Sequence, residues 1–161
     1  LVTRSSAARA IKFQLVILGS GDRTIEENLA SSFEGSKSFR LRLAFDEALA
    51  RRIYGGCDAF LMPSRYEPCG LGQMIAMRYG TVPVVRATGG LKDTVTEGPQ
   101  GNGFTFVPYE PGALAEAIDR ALRAYQDLSP WQAMERRGME TDFSWDRSAR
   151  EYLKLYEKLV G

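Results

Sequence analysis

The sequence predicts an α/β domain, a largely parallel sheet flanked by helices with a helical tail after it. Three observations carry this. Short apolar runs alternate with amphipathic segments over most of the chain. The runs end in polar or glycine-rich turns, as strands do at the ligand-binding edge of a parallel sheet. From Pro111 onward the apolar spacing is helical.

Each element has a local reason. Phe13 to Leu18 reads as a buried strand that ends at Gly19-Ser20-Gly21-Asp22. Thr24 to about Phe33 reads as a helix, with Thr24 the candidate N-cap and Glu26 and Glu27 complementing the dipole in its first turn. Phe39 to Phe45 alternates apolar with basic residues, the pattern of a half-buried strand. Asp46 caps a helix through about Tyr54, closed by Gly55-Gly56. Ala59 to Met62 is a short buried strand, and Leu71 to Tyr79 a helix that Gly80 ends. Val82 to Val85 is the next strand, with Pro83 implying a strand start or bulge. A short turn or helix surrounds Lys92 to Val95. Glu97 to Gly103, with three glycines and a proline, reads as a mobile loop before a last strand at Phe104 to Val107.

In the tail, Pro111 opens a helix whose apolar face is Leu114, Ala117, Ile118, Ala121, Leu122 and Tyr125. A second helix covers about Pro130 to Gly138. Ser144 or Asp142 caps a third that carries Leu153, Tyr156 and Leu159. The opening does not fit the alternation. Leu1-Val2-Thr3 looks like the end of a strand, yet only the nine residues Arg4 to Lys12 separate it from Phe13. A parallel crossover through a helix needs about a dozen or more. The interval is read as marking residues missing on the N-terminal side.

Composition narrows the chemistry. With 161 residues, 44 % apolar, the chain suffices for one domain with a substantial core. A net charge of +1 gives no global pull toward nucleic acid or membrane, and no apolar run is long enough to span a bilayer. The two cysteines, Cys57 and Cys69, form no CxxC pair, which argues against a disulfide framework or zinc site and suits a reducing compartment. Histidine is absent, so imidazole chemistry would have to come from elsewhere.

The segment Pro63-Ser64-Arg65-Tyr66-Glu67-Pro68-Cys69-Gly70-Leu71-Gly72-Gln73 concentrates the candidate chemistry. Two prolines and two glycines fix its path, and it leads into a helix. The backbone at Gly70, Leu71 and Gly72 is the candidate phosphate site, because helix starts carry free N–H groups. Glu67 is a poor phosphate ligand; like charges repel by roughly 1 kcal/mol at about 4 Å in water, and more once dehydrated. It is suited to accept sugar hydroxyls or stabilise a cationic sugar carbon. Its alternative role is to complement the helix dipole.

Other candidates have structural alternatives beside them. Gly19-Ser20-Gly21 is half of a dinucleotide fingerprint, but Thr24 stands where the third glycine belongs and Glu47 reads as helix rather than strand end; the reading preferred over a nicotinamide-type site is a tight strand-to-helix turn close to a ligand. Phe45 is either a platform for a nucleobase or core. Arg65 and Arg86 either meet phosphates or make structural pairs. Cys69 has no histidine to activate it as a nucleophile. No Asp-x-Asp pair is present to hold a divalent metal against a diphosphate.

Together, Pro63 to Gln73, Tyr79-Gly80-Thr81-Val82-Pro83-Val84-Val85-Arg86 and Thr88-Gly89-Gly90-Leu91-Lys92-Asp93-Thr94-Val95 closely resemble bacterial glycogen synthases and plant starch synthases. Leu18 to Asp22 and Asp142-Phe143-Ser144-Trp145 are similar to that family too, so the resemblance runs from about Phe13 onward. It implies a Rossmann-like domain, the C-terminal nucleotide-sugar-binding half of a two-domain glycosyltransferase whose active site lies between the halves. The implied reaction moves glucose from ADP-glucose to the non-reducing end of an α-1,4-glucan with retention. ADP-glucose, the glucan and the N-terminal domain of the same enzyme are the implied partners. No cofactor or metal is implied, and the implied location is the cytoplasm, or a plastid if the source is a plant. A related UDP-glucose transferase and a non-catalytic glucan- or partner-binding module are the alternatives.

By the same resemblance, Glu67 faces the donor glucose, Cys69, Gly70 and Leu71 contact glucose hydroxyls and diphosphate, and Phe45 packs on adenine. Thr88, Gly89 and Gly90 form the neighbouring loop; Gly19, Gly21, Ser64, Arg65 and Gly72 complete the expected donor site. The chain also departs from the family. Thr3-Arg4 begins its Ser/Thr-Arg-Leu-x-x-Gln-Lys stretch, but Ser5-Ser6-Ala7-Ala8-Arg9 does not continue it. Gly72 stands where threonine or asparagine is usual. The N-terminal domain, with its Lys-Thr-Gly-Gly loop and sugar-binding histidine, is absent. Alone, the chain is expected to bind ADP-sugar weakly and not to turn over.

Overall fold

The structure is a computed structural model that describes residues 13–160. The expected strand end at Leu1-Val2-Thr3, the interval that follows and the Thr3-Arg4 match lie outside the described residues. The chain divides between Cys57 and Asp58 into two compact units.

The first unit is one strand–helix–strand crossover followed by a helix. β1 (Leu15–Gly19) and β2 (Phe39–Leu43) pair in parallel, Leu15 opposite Phe39 and Gly19 opposite Leu43. α1 (Arg23–Ser32) connects them, capped not by Thr24 but by Asp22, which lies in extended backbone and accepts from the amides of Thr24 and Ile25 at 2.9 and 3.1 Å. Phe33 stacks on buried Phe39, their ring centres 3.9 Å apart. β2 stops at Leu43, two residues short of Phe45. α2 (Glu47–Gly56) is capped by Asp46, which accepts from the Leu49 amide at 2.9 Å; it runs through the glycine pair expected to close it and ends at Cys57.

The second unit holds the core. β3 (Ala59–Met62), β4 (Val82–Arg86) and β5 (Phe104–Phe106) form a parallel sheet in that order, with helices α3 (Gly72–Arg78) and α4 (Leu91–Thr94) in the crossovers. α5 (Pro111–Ala124), α6 (Leu128–Glu140) and α7 (Trp145–Val160) follow. Alternation along β4 assigns its two faces. Val82 and Val84 pack with Phe104, Phe106, Ala117, Ala121 and Trp131, the last three from α5 and α6. Val85 packs with Met77, Leu91 and Val95 around α3 and α4. Helices on both faces explain why this strand is an unbroken apolar run.

Pro83 lies inside the central strand, opposite Phe60, not at a strand start or bulge. The Val82 amide donates to Asp58 O at 3.0 Å, so the donor that proline lacks would point the other way, toward β5. Pairing with β5 begins only at Val84, so the ladder loses nothing. Glu97 to Gly103 is tied down in several places. Asn102 accepts from the Thr96 amide and donates to Thr94 O at 2.9 and 3.0 Å, Arg120 meets the Glu97 carboxylate at 2.8 Å, and Arg137 donates to Gly101 O at 2.8 Å. Ser144 caps α7, accepting from the Arg147 amide at 3.3 Å, while Asp142 accepts from the Ser144 amide at 2.9 Å.

Candidate active site

The C-terminal ends of β3 and β4 carry the two loops that the sequence singles out. Pro63 to Leu71 leaves β3 and leads into α3; Ala87 to Gly90 leaves β4 and leads into α4. They lie backbone against backbone. The Gly90 amide donates to Glu67 O and Pro68 O, both at 3.1 Å. A Cβ on Gly90 would fall 2.7 Å from Cys69 Cα, and one on Gly89 would fall 2.8 Å from the Glu67 carbonyl carbon. Gly89 also has φ +46°, a conformation that side-chain-bearing residues adopt at a cost. The glycine pair is thus first a packing requirement, and the Gly90 N–H is already used within the protein.

Arg86 holds this arrangement from below. Its guanidinium donates to Arg65 O at 2.7 Å and Val107 O at 2.9 Å and lies 5.5 Å from the Tyr109 ring centre. Of its two sequence readings, the structural one describes these contacts. Arg65 contributes its carbonyl to this clamp, and its own side chain is exposed.

Glu67 is half-buried, with one carboxylate oxygen 3.5 Å from the hydroxyl of half-buried Ser64, a long contact. Gly70 is buried with φ +79°, while Cys69 and Leu71 are exposed. Among the described residues no acceptor meets the amides of Gly70, Leu71 and Gly72; the first α3 amide with one here is that of Ile75, bonded to Leu71 O at 2.9 Å. The loop therefore presents a carboxylate and, further along the same turn, unpaired donors. That pairing suits a ligand with an electron-poor carbon and an anionic leaving group.

Gln73 was not singled out by the sequence reading. It is fully buried, and its Nε2 donates to Gly70 O at 2.8 Å, Thr94 Oγ1 at 3.1 Å and, more weakly, Cys69 O at 3.3 Å. The signal was present: Gln73, Ala76 and Met77 make the buried stripe of α3 at helical spacing, with the glutamine its one polar member.

Gly19, Gly21 and Phe45 belong to the first unit. The Gly21 amide donates to Glu26 at 2.7 Å and Asp22 accepts from the amides of Thr24 and Ile25, so these three donors at the start of α1 are used by the protein's own carboxylates. A dinucleotide phosphate finds no free donor among them. Phe45 is 89 % exposed and packs into no core among the described residues. Among the described residues no cluster of three potential metal ligands occurs, and no helix is long and apolar enough to cross a membrane.

The second unit is thus a parallel α/β unit with its two glycine-bearing loops at the C-terminal ends of adjacent strands. Residues 2–136 match the model of the glycosyl transferases group 1 family, and the chain belongs to that family. It is 53 % identical over 152 residues to a glycogen synthase of Syntrophotalea carbinolica and 50 % identical over 153 residues to one of Kosmotoga olearia. Those alignments cover 91 and 92 % of this chain but 31 and 32 % of the relatives, so the chain spans about a third of their length. Among solved structures, the catalytic domain of starch synthase IV from Arabidopsis thaliana bound to ADP and acarbose superposes with a TM-score of 0.80 at 39 % identity, over 90 % of this chain and 32 % of that one. Sucrose-phosphate synthase from Thermosynechococcus elongatus superposes at 0.69 with 28 % identity, over 91 % of this chain and 38 % of that one.

Proposed function

We propose that this chain is the donor-binding C-terminal domain of a glycogen or starch synthase, which moves glucose from ADP-glucose to the non-reducing end of an α-1,4-glucan with retention. The observation that carries the reading is the turn from Glu67 to Gly72, where a half-buried carboxylate precedes three amides with no protein acceptor among the described residues. Likeness to glycogen synthases and to an ADP-bound starch synthase supports the choice of donor.

In this reading Glu67 stabilises the cationic anomeric carbon as the donor bond breaks. The amides of Gly70, Leu71 and Gly72, with the Arg65 guanidinium, stabilise the departing diphosphate. Ser64, Cys69 and Thr88 lie beside the sugar, while Gly89 and Gly90 hold the two loops together. The acceptor hydroxyl attacks from the face the leaving group departs, losing its proton to a phosphate oxygen. No protein base and no metal is drawn upon. The N-terminal domain of the same enzyme supplies the acceptor side, and the enzyme is cytoplasmic.

The test is Glu67→Gln in the synthase that carries this chain, assayed for glucan elongation from ADP-glucose. Loss of one preorganised group at a developing charge is expected to lower kcat by about 10²–10³ with an unchanged melting temperature. Full transfer by a folded Glu67→Gln enzyme would end the proposal. A thermal-shift titration with ADP and with UDP separates the two donors. Measurable elongation by these 161 residues alone would contradict the domain assignment.

A further inference from the structure

The buried Gln73 carboxamide reaches both loops of the proposed donor site. Its two Nε2 hydrogens face three acceptors: Gly70 O at 2.8 Å, Thr94 Oγ1 at 3.1 Å and Cys69 O at 3.3 Å. Thr94 in turn donates to Gly90 O at 2.9 Å. Gly90 closes the circuit, its amide on Glu67 O and Pro68 O. One continuous set of hydrogen bonds thus runs from α3 to the carbonyls of the Glu67 turn, to α4, and back to the carbonyl of Glu67 itself. Three oxygen acceptors fix which end of the amide carries the nitrogen.

The other end is more informative. Gln73 Oε1 is buried and accepts no hydrogen bond. It faces Gly70, where a Cβ would meet it at 2.6 Å. A residue chosen only to fill this space would be apolar, because an unpaired buried acceptor is a cost without a return in packing. The amide is retained for what its nitrogen holds.

We propose that Gln73 is a positioning residue for the donor diphosphate. Its carboxamide holds the Cys69 and Gly70 carbonyls inward, so that the amides of Gly70, Leu71 and Gly72 stay unpaired and aimed outward, and through Thr94 it locks the Gly89-Gly90 turn to the same frame. This rests on the donor reading above.

The experiment uses Gln73→Leu, Thr94→Val and Thr94→Ser in the synthase that carries this chain, with donor and acceptor kinetics measured separately. Thr94→Val keeps the shape and removes the hydroxyl link; Thr94→Ser keeps the link. The KM for ADP-glucose is expected to rise about fivefold or more in Gln73→Leu and in Thr94→Val, with the KM for glucan unchanged and Thr94→Ser within about twofold of the wild type. A general loss of packing would lower the amount of folded enzyme and leave this split absent. Hydrogen exchange at the Gly90 amide of the 161-residue chain gives a readout independent of activity, and faster exchange is expected in Gln73→Leu and Thr94→Val. Folded Thr94→Val enzyme with unchanged donor KM and unchanged Gly90 exchange overturns the proposal, whatever the fate of Gln73→Leu. If the wild-type synthase fails to use ADP-glucose, the donor reading falls. The coupling of the loops is then decided by Gly90 exchange alone, and unchanged exchange overturns it.

Discussion

Replacing Gly90 by alanine separates close approach from backbone conformation. Gly90 has φ −65° and ψ −16°, ordinary right-handed backbone, so alanine there carries no conformational penalty. Its Cβ, however, would lie 2.7 Å from Cys69 Cα and 2.9 Å from the Cys69 carbonyl carbon, with the Cys69 carbonyl oxygen closer still. These are backbone atoms, and the loop that carries them is also held by Arg86 and Gln73, so neither partner can turn aside as a side-chain tip would. Overpacking of this kind costs about 1–3 kcal/mol. Taking about 2 kcal/mol, the melting temperature should fall by roughly 4–8 °C in a chain of this size. Gly112→Ala is the control: its Cβ would meet nothing within 4 Å, and relief of a glycine in α5 should raise stability by up to about 1 kcal/mol. The assay is thermal unfolding followed by far-UV circular dichroism. A Gly90→Ala protein that melts with the wild type would refute the backbone-on-backbone packing of the two loops.

Four further substitutions probe other elements of the chain. Trp131 is 2 % exposed, donates to Glu135 at 2.8 Å and packs against Tyr125 and Phe104, so Trp131→Ala should lower the unfolding free energy by about 3–5 kcal/mol in denaturant titrations. Asp22→Ala removes the cap from α1 and should cost about 1 kcal/mol, whereas Thr24→Ala should cost little, read by the same titrations. Burial alone would raise the Glu97 carboxyl, but hydrogen bonds from Arg120 and Thr105, with the Arg120 charge, outweigh it and hold the group below its ordinary value of 4.5. A carboxyl lowered by folding stabilises above its unfolded value and loses that contribution as pH falls through its folded one. The pair is partly exposed, so Glu97→Gln should cost about 1 kcal/mol at pH 7. The difference from wild type should vanish as pH falls below 4.5 and on through the folded value, measured by urea unfolding across pH.

What the sequence revealed was decided by how local the cause was. Ala59–Met62 was legible because four apolar residues lie between a helix stop and Pro63. Asp46 was legible because only one capping residue precedes α2. At α1 Thr24 was the expected cap, but Asp22, two residues earlier in extended backbone with its carboxylate on the amides of Thr24 and Ile25, does the capping. Causes that lie far along the chain were not legible. Glu97 to Gly103 looked mobile because Arg120 and Arg137, which hold it, come 23 and 36 residues after their partners. Pro83 looked like a strand margin because its tolerance depends on where β5 begins to pair. In the candidate site, Glu67 and the glycines were visible as residue types in a turn, but the tasks of Gly89, Gly90 and Arg86 in holding that turn became visible only with the opposing backbone in place.

The central claim is that a nucleotide diphosphate is received by the amides that follow Glu67. The direct measurement is a titration of the 15N-labelled chain with ADP, followed amide by amide. Saturable shifts are expected to centre on Gly70, Leu71 and Gly72, with the amides of Thr24 and Ile25 that Asp22 caps unmoved. Saturable binding that shifts those α1 amides and leaves Gly70 to Gly72 in place would contradict it.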